Sequence, residues 1–334
     1  MFLAGRIAVL LLHGTADTVA EEVLPGRVRA AGQLIPRGLR AAGRRTAFLR
    51  RSVLRKPLVS DLSDRRYEAR RARHAHNLPE VPAAERAILA ELGDAGVAVR
   101  QAALPAEVVA STDRFVELLR GKHVDEPCVK ATPRELANDP ALFAWGLSDH
   151  LLDMAECHIG LPVRYLGVEV KREMVESAEG RSHEVVRRWH LDHEDRRIFK
   201  VIVYLSDVDA GAGPFGFVHQ SNSGAILEST HGRSLHGVSD EKMQTVVPQK
   251  EWRQVTGPRM TAIHVDTGQV FHRVFPPTNS ERYSVTFAYS SRTPYYTYSR
   301  LMLPRRAVRQ LRQQLSQRQW DCLCMGRGRR PDVG

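Results

Sequence analysis

The stretch Arg188-Trp189-His190-Leu191-Asp192-His193 indicates both the fold class and the chemistry of this chain. Residues 198–205 follow it and are nearly all apolar, which predicts a strand buried on both faces. His190 and Asp192 are two residues apart, and on a β-strand this spacing places both side chains on one face. An imidazole beside a carboxylate is common by chance, so the interpretation depends on a third group.

His272 is the candidate for that third group. Two histidines and one carboxylate form a facial triad, which leaves one face of an octahedral iron open for other ligands. His264-Val-Asp266 repeats the His-x-Asp spacing, but His272 is the last histidine of the chain. A triad that starts at His264 would have to close within one hairpin. We therefore predict His190, Asp192 and His272 as the catalytic metal ligands.

Arg282 lies ten residues beyond His272, and residues 276–280 between them read as a turn. This pattern predicts a hairpin that returns Arg282 to the metal end of the neighbouring strand. Arg282 and Ser284 share a strand face, and a guanidinium beside a hydroxyl suits a carboxylate. Lys200 lies inside the apolar strand and needs a partner. A cosubstrate carboxylate and an interior ion pair are equally good candidates for that partner.

The ordered set His190-x-Asp192, His272 and Arg282-x-Ser284 resembles the iron(II)- and 2-oxoglutarate-dependent oxygenases. Within them, the stretch after Trp189 and the segment Gly211-Ala-Gly-Pro-Phe-Gly-Phe-Val resemble the phytanoyl-CoA dioxygenase-like family. The resemblance spans residues 79–304. It implies a mostly β fold with flanking helices, the double-stranded β-helix or jelly-roll (cupin-like) barrel.

The same resemblance implies the chemistry. Iron(II) would be held by the two histidines and Asp192, and 2-oxoglutarate by Arg282 and Ser284, with Lys200 as a further candidate. Dioxygen would be consumed, and an unactivated C–H bond of a small metabolite, acyl or natural-product substrate would be hydroxylated. Two alternatives remain open. One is a halogenase of the same fold, which would lack the carboxylate ligand; the other is a catalytically silent barrel that acts as a binding module.

Charge is distributed unevenly over the 334 residues, whose net charge is +11. Residues 1–75 hold 16 Arg or Lys against 6 Asp or Glu, which leaves +10 in the first quarter of the chain. We predict a basic extension over residues 1–78, the oxygenase domain over 79–304, and a basic C-terminal helix and tail over 305–334. The extension could make weak contact with a membrane surface, but a solvated appendage is the favoured interpretation.

The cysteine pattern and the hydropathy of the chain indicate its cellular compartment. The four cysteines form no disulfide framework and no CxxC pair, which predicts a cytoplasmic protein without a zinc site. No apolar run reaches the ~18–20 residues that a membrane span needs. We expect a small-molecule substrate and no nucleic acid partner; the sequence is silent on oligomeric state.

The remaining apolar patterns predict the helices that pack around the barrel. Apolar periodicity favours helices over residues 82–93 and 139–160, and one amphipathic helix over 304–320. Residues 223–250 are polar and partly helix-like, and are expected as an insertion over the barrel mouth.

Overall fold

Two antiparallel sheets form the centre of the fold. The computed structural model describes residues 57–122, 127–175, 187–230, 237–295 and 303–323. The strands of this part are β1 Val97–Gln101, β2 Cys128–Lys130, β3 Val163–Glu173, β4 Phe199–Tyr204, β5 Phe215–Phe217, β6 Arg253–Val255, β7 Thr261–Asp266, β8 His272–Val274 and β9 Arg282–Ser291.

The order of the strands identifies the architecture. The large sheet runs β1-β7-β4-β9-β3-β2 and the small sheet runs β6-β5-β8. An isolated bridge between His190 and His272 adds the chain around residue 190 to the free side of β8. Along the chain from β3 to β9, strands therefore alternate between the sheets. β3, β4, β7 and β9 lie in the large sheet, and the residues around His190, then β5 with β6, and then β8 lie between them in the small sheet. This is the winding of a double-stranded β-helix, so the predicted fold class is confirmed.

Apolar side chains from both sheets pack into one cluster between them. The members are buried residues of β1, β4, β7, β5 and β6 and of the loops that join these strands: Val97, Tyr204, Val208, Ala212, Phe215, Phe217, Val255, Ile263, Val265 and Val270. Burying a side chain of this size stabilises the fold by roughly 1.5–3 kcal/mol. The two sheets consequently face each other, and residues opposite these positions point to the same interior.

Some of the helices, among them Ala83–Asp94 and Asp149–Ile159, cover the opposite face of the large sheet. The helices of the described residues are α1 Pro57–His74, α2 Ala83–Asp94, α3 Ala106–Arg120, α4 Pro133–Asn138, α5 Ala141–Trp145, α6 Asp149–Ile159, α7 Ser223–Ser229, α8 Asp240–Gln244, α9 Arg305–Leu311 and α10 Gln317–Leu323. Helix α6 contacts β3, β4 and β9, and α2 contacts β1 and β7. Aromatic side chains fill this layer; the rings of Trp145 and Phe287, for example, lie 4.8 Å apart in an edge-on arrangement.

Two predicted helices are each divided in the structure. Residues 139–160 form α5 and α6, which are separated at Gly146 because the sheet approaches closely there. A Cβ at Gly146 would lie 2.2 Å from the hydroxyl of Tyr165, and the Tyr289 hydroxyl donates to the Gly146 carbonyl over 2.6 Å. Residues 304–320 likewise form α9 and the start of α10. The single helices expected over these ranges are therefore wrong.

Residues 223–250 also differ from expectation. Their described part packs on Trp189, Val218 and Phe271, in a cluster with Ile226, Val238, Met243 and Val247. Val218 and Phe271 are next to Phe217 and His272, which point into the barrel, so they lie on the outer face of the small sheet. The expectation that this segment covers the barrel mouth is wrong for the described residues.

The described residues fall into two units, one with residues 57–74 and 294–295 and one with the rest. Both sheets belong to the second unit. The described part of the first unit contains α1; residues 1–56 of the predicted basic extension lie outside the described residues. Cys128, Cys157 and Cys322 are free. None of the helices among the described residues has the length and hydropathy of a membrane span.

Candidate metal centre and carboxylate pocket

Three predicted ligands converge between the sheets. His190, Asp192 and His272 each offer a ligand atom, and these atoms lie within 4.8 Å of one another. The backbones of the two histidines exchange a pair of hydrogen bonds, both of 3.0 Å, which holds the two residues side by side. Their rings lie 4.3 Å apart. The Asp192 N–H donates to the Thr267 carbonyl over 2.7 Å, which fixes the third ligand against the end of β7.

The orientation of both imidazoles is set by the local backbone. His190 Nδ1 lies 2.8 Å from the carbonyl oxygen of Arg188, and His272 Nδ1 lies 2.9 Å from that of Val270. A carbonyl oxygen only accepts, so each Nδ1 carries the proton and donates it. Each Nε2 is therefore a lone-pair nitrogen. A backbone carbonyl that orients a histidine in this way is the usual support of a metal ligand.

Burial keeps both imidazoles neutral. Burial, and after it the neighbouring His190, lowers the pKa of His272 to about 3. The pKa of His190 is also lowered, again through burial. Phe215 contributes to the dry environment, because its ring stacks on His272 at 5.5 Å. Only the neutral form of histidine binds a metal, so two neutral imidazoles beside a carboxylate fit the donor set of iron(II).

Lys200 forms an ion pair with Asp192 through its ammonium group and Oδ2. Lys200 is opposite Val265 of β7 in the large sheet, so it points into the barrel with that apolar residue. Of the two partners considered for Lys200, the interior ion pair is the one present in the structure. Its assignment as a cosubstrate ligand stays a prediction.

Arg282 and Ser284 point into the same interior from β9. Ser284 is opposite Tyr204 of β4, a member of the cluster between the sheets. Arg282 is 2% exposed and Ser284 1%. Arg282 Nη1 donates to the carbonyl of Gly213, whereas Arg282 Nε and Ser284 Oγ are buried without a hydrogen-bond partner among the described residues. Two unpaired buried donors on one strand face are costly unless an acceptor belongs there.

We call the surroundings of Arg282 and Ser284 the carboxylate pocket. A chain of contacts joins it to His272. Phe215, which stacks on His272, donates its backbone N–H to the Tyr204 hydroxyl over 2.9 Å. The Arg282 guanidinium lies 6.0 Å from the centre of the Tyr204 ring. The candidate ligands and the unpaired donors therefore lie in the same interior between the sheets, with Phe215 and Tyr204 between His272 and Arg282.

Sequence reasoning missed the charged residues around Arg282. Glu173 on β3 is opposite Arg282 and is 1% exposed. Its carboxylate contacts Lys171, Arg187 and, at 3.6 Å, Arg282 Nη2. We call these four side chains the charged cluster. The available signal was the alternation Glu169-x-Lys171-x-Glu173, which places charged residues on one face of a strand, but their partners are distant in sequence.

The alternative pair His264-x-Asp266 lies on the opposite face of β7. Asp266 is fully buried, accepts from His158 of α6 over 2.7 Å and also accepts from the N–H of Ile198 over 3.0 Å. It ties α6 to the sheet, and its side chain lies on the face of β7 opposite the barrel interior. His264 and Asp266 are not among the residues whose ligand atoms converge with those of His190, Asp192 and His272.

The comparisons with known proteins give weak matches. No protein-family model and no curated protein matches this sequence. HygX from Streptomyces hygroscopicus, in a structure with nickel, 2-oxoglutarate and hygromycin B bound, is 17% identical over 62% of this chain and 87% of that chain, with a TM-score of 0.44. The non-haem α-ketoglutarate-dependent epimerase SnoN from nogalamycin biosynthesis is 18% identical over 66% and 87%, with a TM-score of 0.47.

EctD from S. alaskensis with bound Fe is 17% identical over 65% of this chain and 81% of that chain, with a TM-score of 0.45. All three likenesses are distant. The fold assignment therefore rests on the strand order and register of this chain, and no activity follows from the likenesses.

His264 provides a test of this placement through pH. Burial lowers its pKa to about 4, whereas an unfolded histidine titrates near 6.5. As the pH falls below 6.5 the unfolded state binds the proton first, so stability is lost between pH 6.5 and pH 4. Between about pH 7 and about pH 4.5, we expect the wild type to lose about 2–3 kcal/mol more unfolding free energy than His264→Gln. Urea unfolding of both metal-free proteins measures it; identical pH slopes would contradict the buried, neutral histidine.

Proposed function

We propose that this protein is a non-haem iron(II)- and 2-oxoglutarate-dependent oxygenase that hydroxylates an unactivated C–H bond of a small molecule. The observation that carries the proposal is the convergence of His190, Asp192 and His272 beside the buried, unpaired donors of Arg282 and Ser284. A metal site alone fits many activities. A metal site that shares its interior with a buried arginine whose Nε is unpaired fits a reaction in which a carboxylate is bound beside the metal.

Bound iron(II) and 2-oxoglutarate would supply the oxidising chemistry, in which dioxygen is consumed, 2-oxoglutarate becomes succinate and carbon dioxide, and the substrate gains a hydroxyl group. The protein supplies the rest. His190 and His272 present oriented lone pairs, and Asp192 supplies the negative charge. Arg282 and Ser284 would bind the distal carboxylate. The apolar residues between the sheets would exclude bulk water.

The two alternatives are weaker on this chain. A halogenase needs the carboxylate position vacant, whereas Asp192 lies with the two histidines. A silent binding barrel has no need of two Nε2 lone pairs aimed at one place, nor of a buried arginine with an unpaired Nε. We propose a small metabolite, acyl or natural-product substrate in the cytoplasm. We place the basic extension outside the catalytic machinery, where weak contact with a membrane surface is its further proposed role.

The general test is release of succinate. The purified protein with iron(II), 2-oxoglutarate and dioxygen should form succinate slowly alone and faster with its substrate in a panel of small metabolites. The His272→Ala protein is the matched blank. Succinate formation that is equal in the two proteins would contradict the proposal.

The metal assignment predicts the effect of two substitutions. His190→Ala and His272→Ala should each weaken iron(II) binding by more than about a hundredfold, because changes to supporting residues alone cost ~10- to 100-fold. Anaerobic titration with iron(II) measures it. His219→Ala is the control, since that ring bonds Ser221 on the surface, and it should leave binding unchanged. Tight binding retained in both ligand variants would refute the assignment.

The cosubstrate assignment predicts the effect of removing Arg282. Arg282→Ala should weaken 2-oxoglutarate binding by ~2–5 kcal/mol, because the buried carboxylate then lacks its charged partner. Arg282→Lys should recover only part of this, since an ammonium cannot form a two-pronged contact.

The dissociation constant is read from the charge-transfer absorption of the iron(II) protein in anaerobic titration. Arg100→Ala on β1 is the control, because that residue pairs with Glu91 at the surface. An unchanged constant in Arg282→Ala would show that other groups bind the carboxylate.

A further inference from the structure

The charged cluster divides one carboxylate among three cations unequally. Glu173 Oε1 lies 2.8 Å from Lys171 Nζ and 3.6 Å from Arg282 Nη2. Glu173 Oε2 lies 3.0 Å from Arg187 Nη2. The two shorter contacts are hydrogen bonds, and the contact to Arg282 is beyond that range. The Glu173 carboxylate therefore lies closer to Lys171 and Arg187, and its contact with Arg282 is the weakest of the three.

Strand geometry explains why Lys171 can compete for this carboxylate. Lys171 and Glu173 are two apart on β3 and share a face, and they are opposite Ser284 and Arg282 on β9. Without Lys171, the nearest cation across the strand pair for Glu173 Oε1 would be Arg282 itself. If the Glu173 carboxylate formed hydrogen bonds to the Arg282 guanidinium, it would occupy the place where the 2-oxoglutarate carboxylate should bind.

We propose that Lys171 is a positioning residue of the pocket, which holds the Glu173 carboxylate away from Arg282 and so keeps Arg282 open to the carboxylate of 2-oxoglutarate. The inference rests on the proposed function. It adds a role for a residue pair on β3, neither of which binds the metal, in setting the affinity for the cosubstrate.

The charge state of Glu173 agrees with this arrangement. Burial raises the pKa of Glu173, but the charges of Lys171, Arg282 and Arg187 outweigh burial and lower that pKa to about 2. The carboxylate is therefore ionised at ordinary pH and always needs cationic partners. When one cation is removed, the carboxylate moves towards those that remain, because an uncompensated buried charge is costly.

A double-substitution cycle tests the proposal. The proteins are the wild type, Lys171→Met, Glu173→Gln and the double variant, each loaded with iron(II) and titrated anaerobically with 2-oxoglutarate. Methionine keeps the length of the lysine side chain without its charge. Lys130→Met is the matched control, because Lys130 is opposite Lys171 in the sheet but pairs with Glu169 at 2.6 Å. Iron(II) affinity and the unfolding midpoint are measured for every protein.

Lys171→Met should weaken 2-oxoglutarate binding about tenfold, since Glu173 then pairs with Arg282, and should leave iron(II) affinity unchanged. Glu173→Gln should bind at least as tightly as the wild type. The double variant should return to within about threefold of the wild-type constant, because the neutral glutamine no longer competes for Arg282. Lys130→Met should match the wild type. A residue with only a structural role would not give this rescue.

Three results would overturn the proposal. The first is an unchanged constant in Lys171→Met. The second is a double variant as weak as Lys171→Met, which would mean that Lys171 contacts the cosubstrate directly. The third, decisive if Lys171→Met does not fold, is a Glu173→Gln protein that binds more than about fivefold more weakly than the wild type. A wild-type protein that binds iron(II) but no 2-oxoglutarate would overturn the proposed function itself. This outcome differs from failure of the Lys171 proposal alone, in which the wild type binds 2-oxoglutarate and only the variants depart from the expected order.

Discussion

The pair of backbone hydrogen bonds between His190 and His272 is the constraint on which the site depends. It joins residues 82 positions apart (272 − 190 = 82), one before β4 and one on β8, and places two imidazoles 4.3 Å apart. Because side chains alternate along a strand, the same pairing sends the neighbouring residues Trp189 and Arg273 to the outer face. There Asp240 bonds both of their side chains. The candidate metal centre is thus supported on its outer side by the segment that covers the small sheet.

The interior of the barrel carries more charge than stability alone would favour. Lys200 pairs with Asp192, and Glu173 pairs with several cations, while Nε of Arg282 has no hydrogen-bond partner among the described residues. Replacement of buried ion pairs by apolar residues is often neutral or stabilising, so a gain in stability does not by itself account for these pairs. The apolar layer beneath the helices, with Phe287 and its neighbours, supplies the stability that this interior does not.

Local spacing made much of the site predictable. Residues two apart on a strand share a face whatever the tertiary structure, so His190 with Asp192 and Arg282 with Ser284 could be paired from sequence. Register across strands could not be predicted, because it depends on how the sheets wind. The position of Glu173 opposite Arg282 therefore escaped notice, and Asp192 could not be named as the partner of Lys200, although an interior ion pair was one of the two expected alternatives. The break at Gly146 escaped for a similar reason, since it reflects tyrosine side chains from distant strands.

The central claim is that the two histidines and Asp192 hold an iron ion in an interior shared with Arg282. The most direct measurement is a crystal structure of the protein grown anaerobically with iron(II) and 2-oxoglutarate, with anomalous diffraction collected on both sides of the iron absorption edge. The account predicts one anomalous peak at His190, Asp192 and His272, with a carboxylate of 2-oxoglutarate on Arg282. An iron peak at any other group of residues, or ordered 2-oxoglutarate away from Arg282, would contradict it.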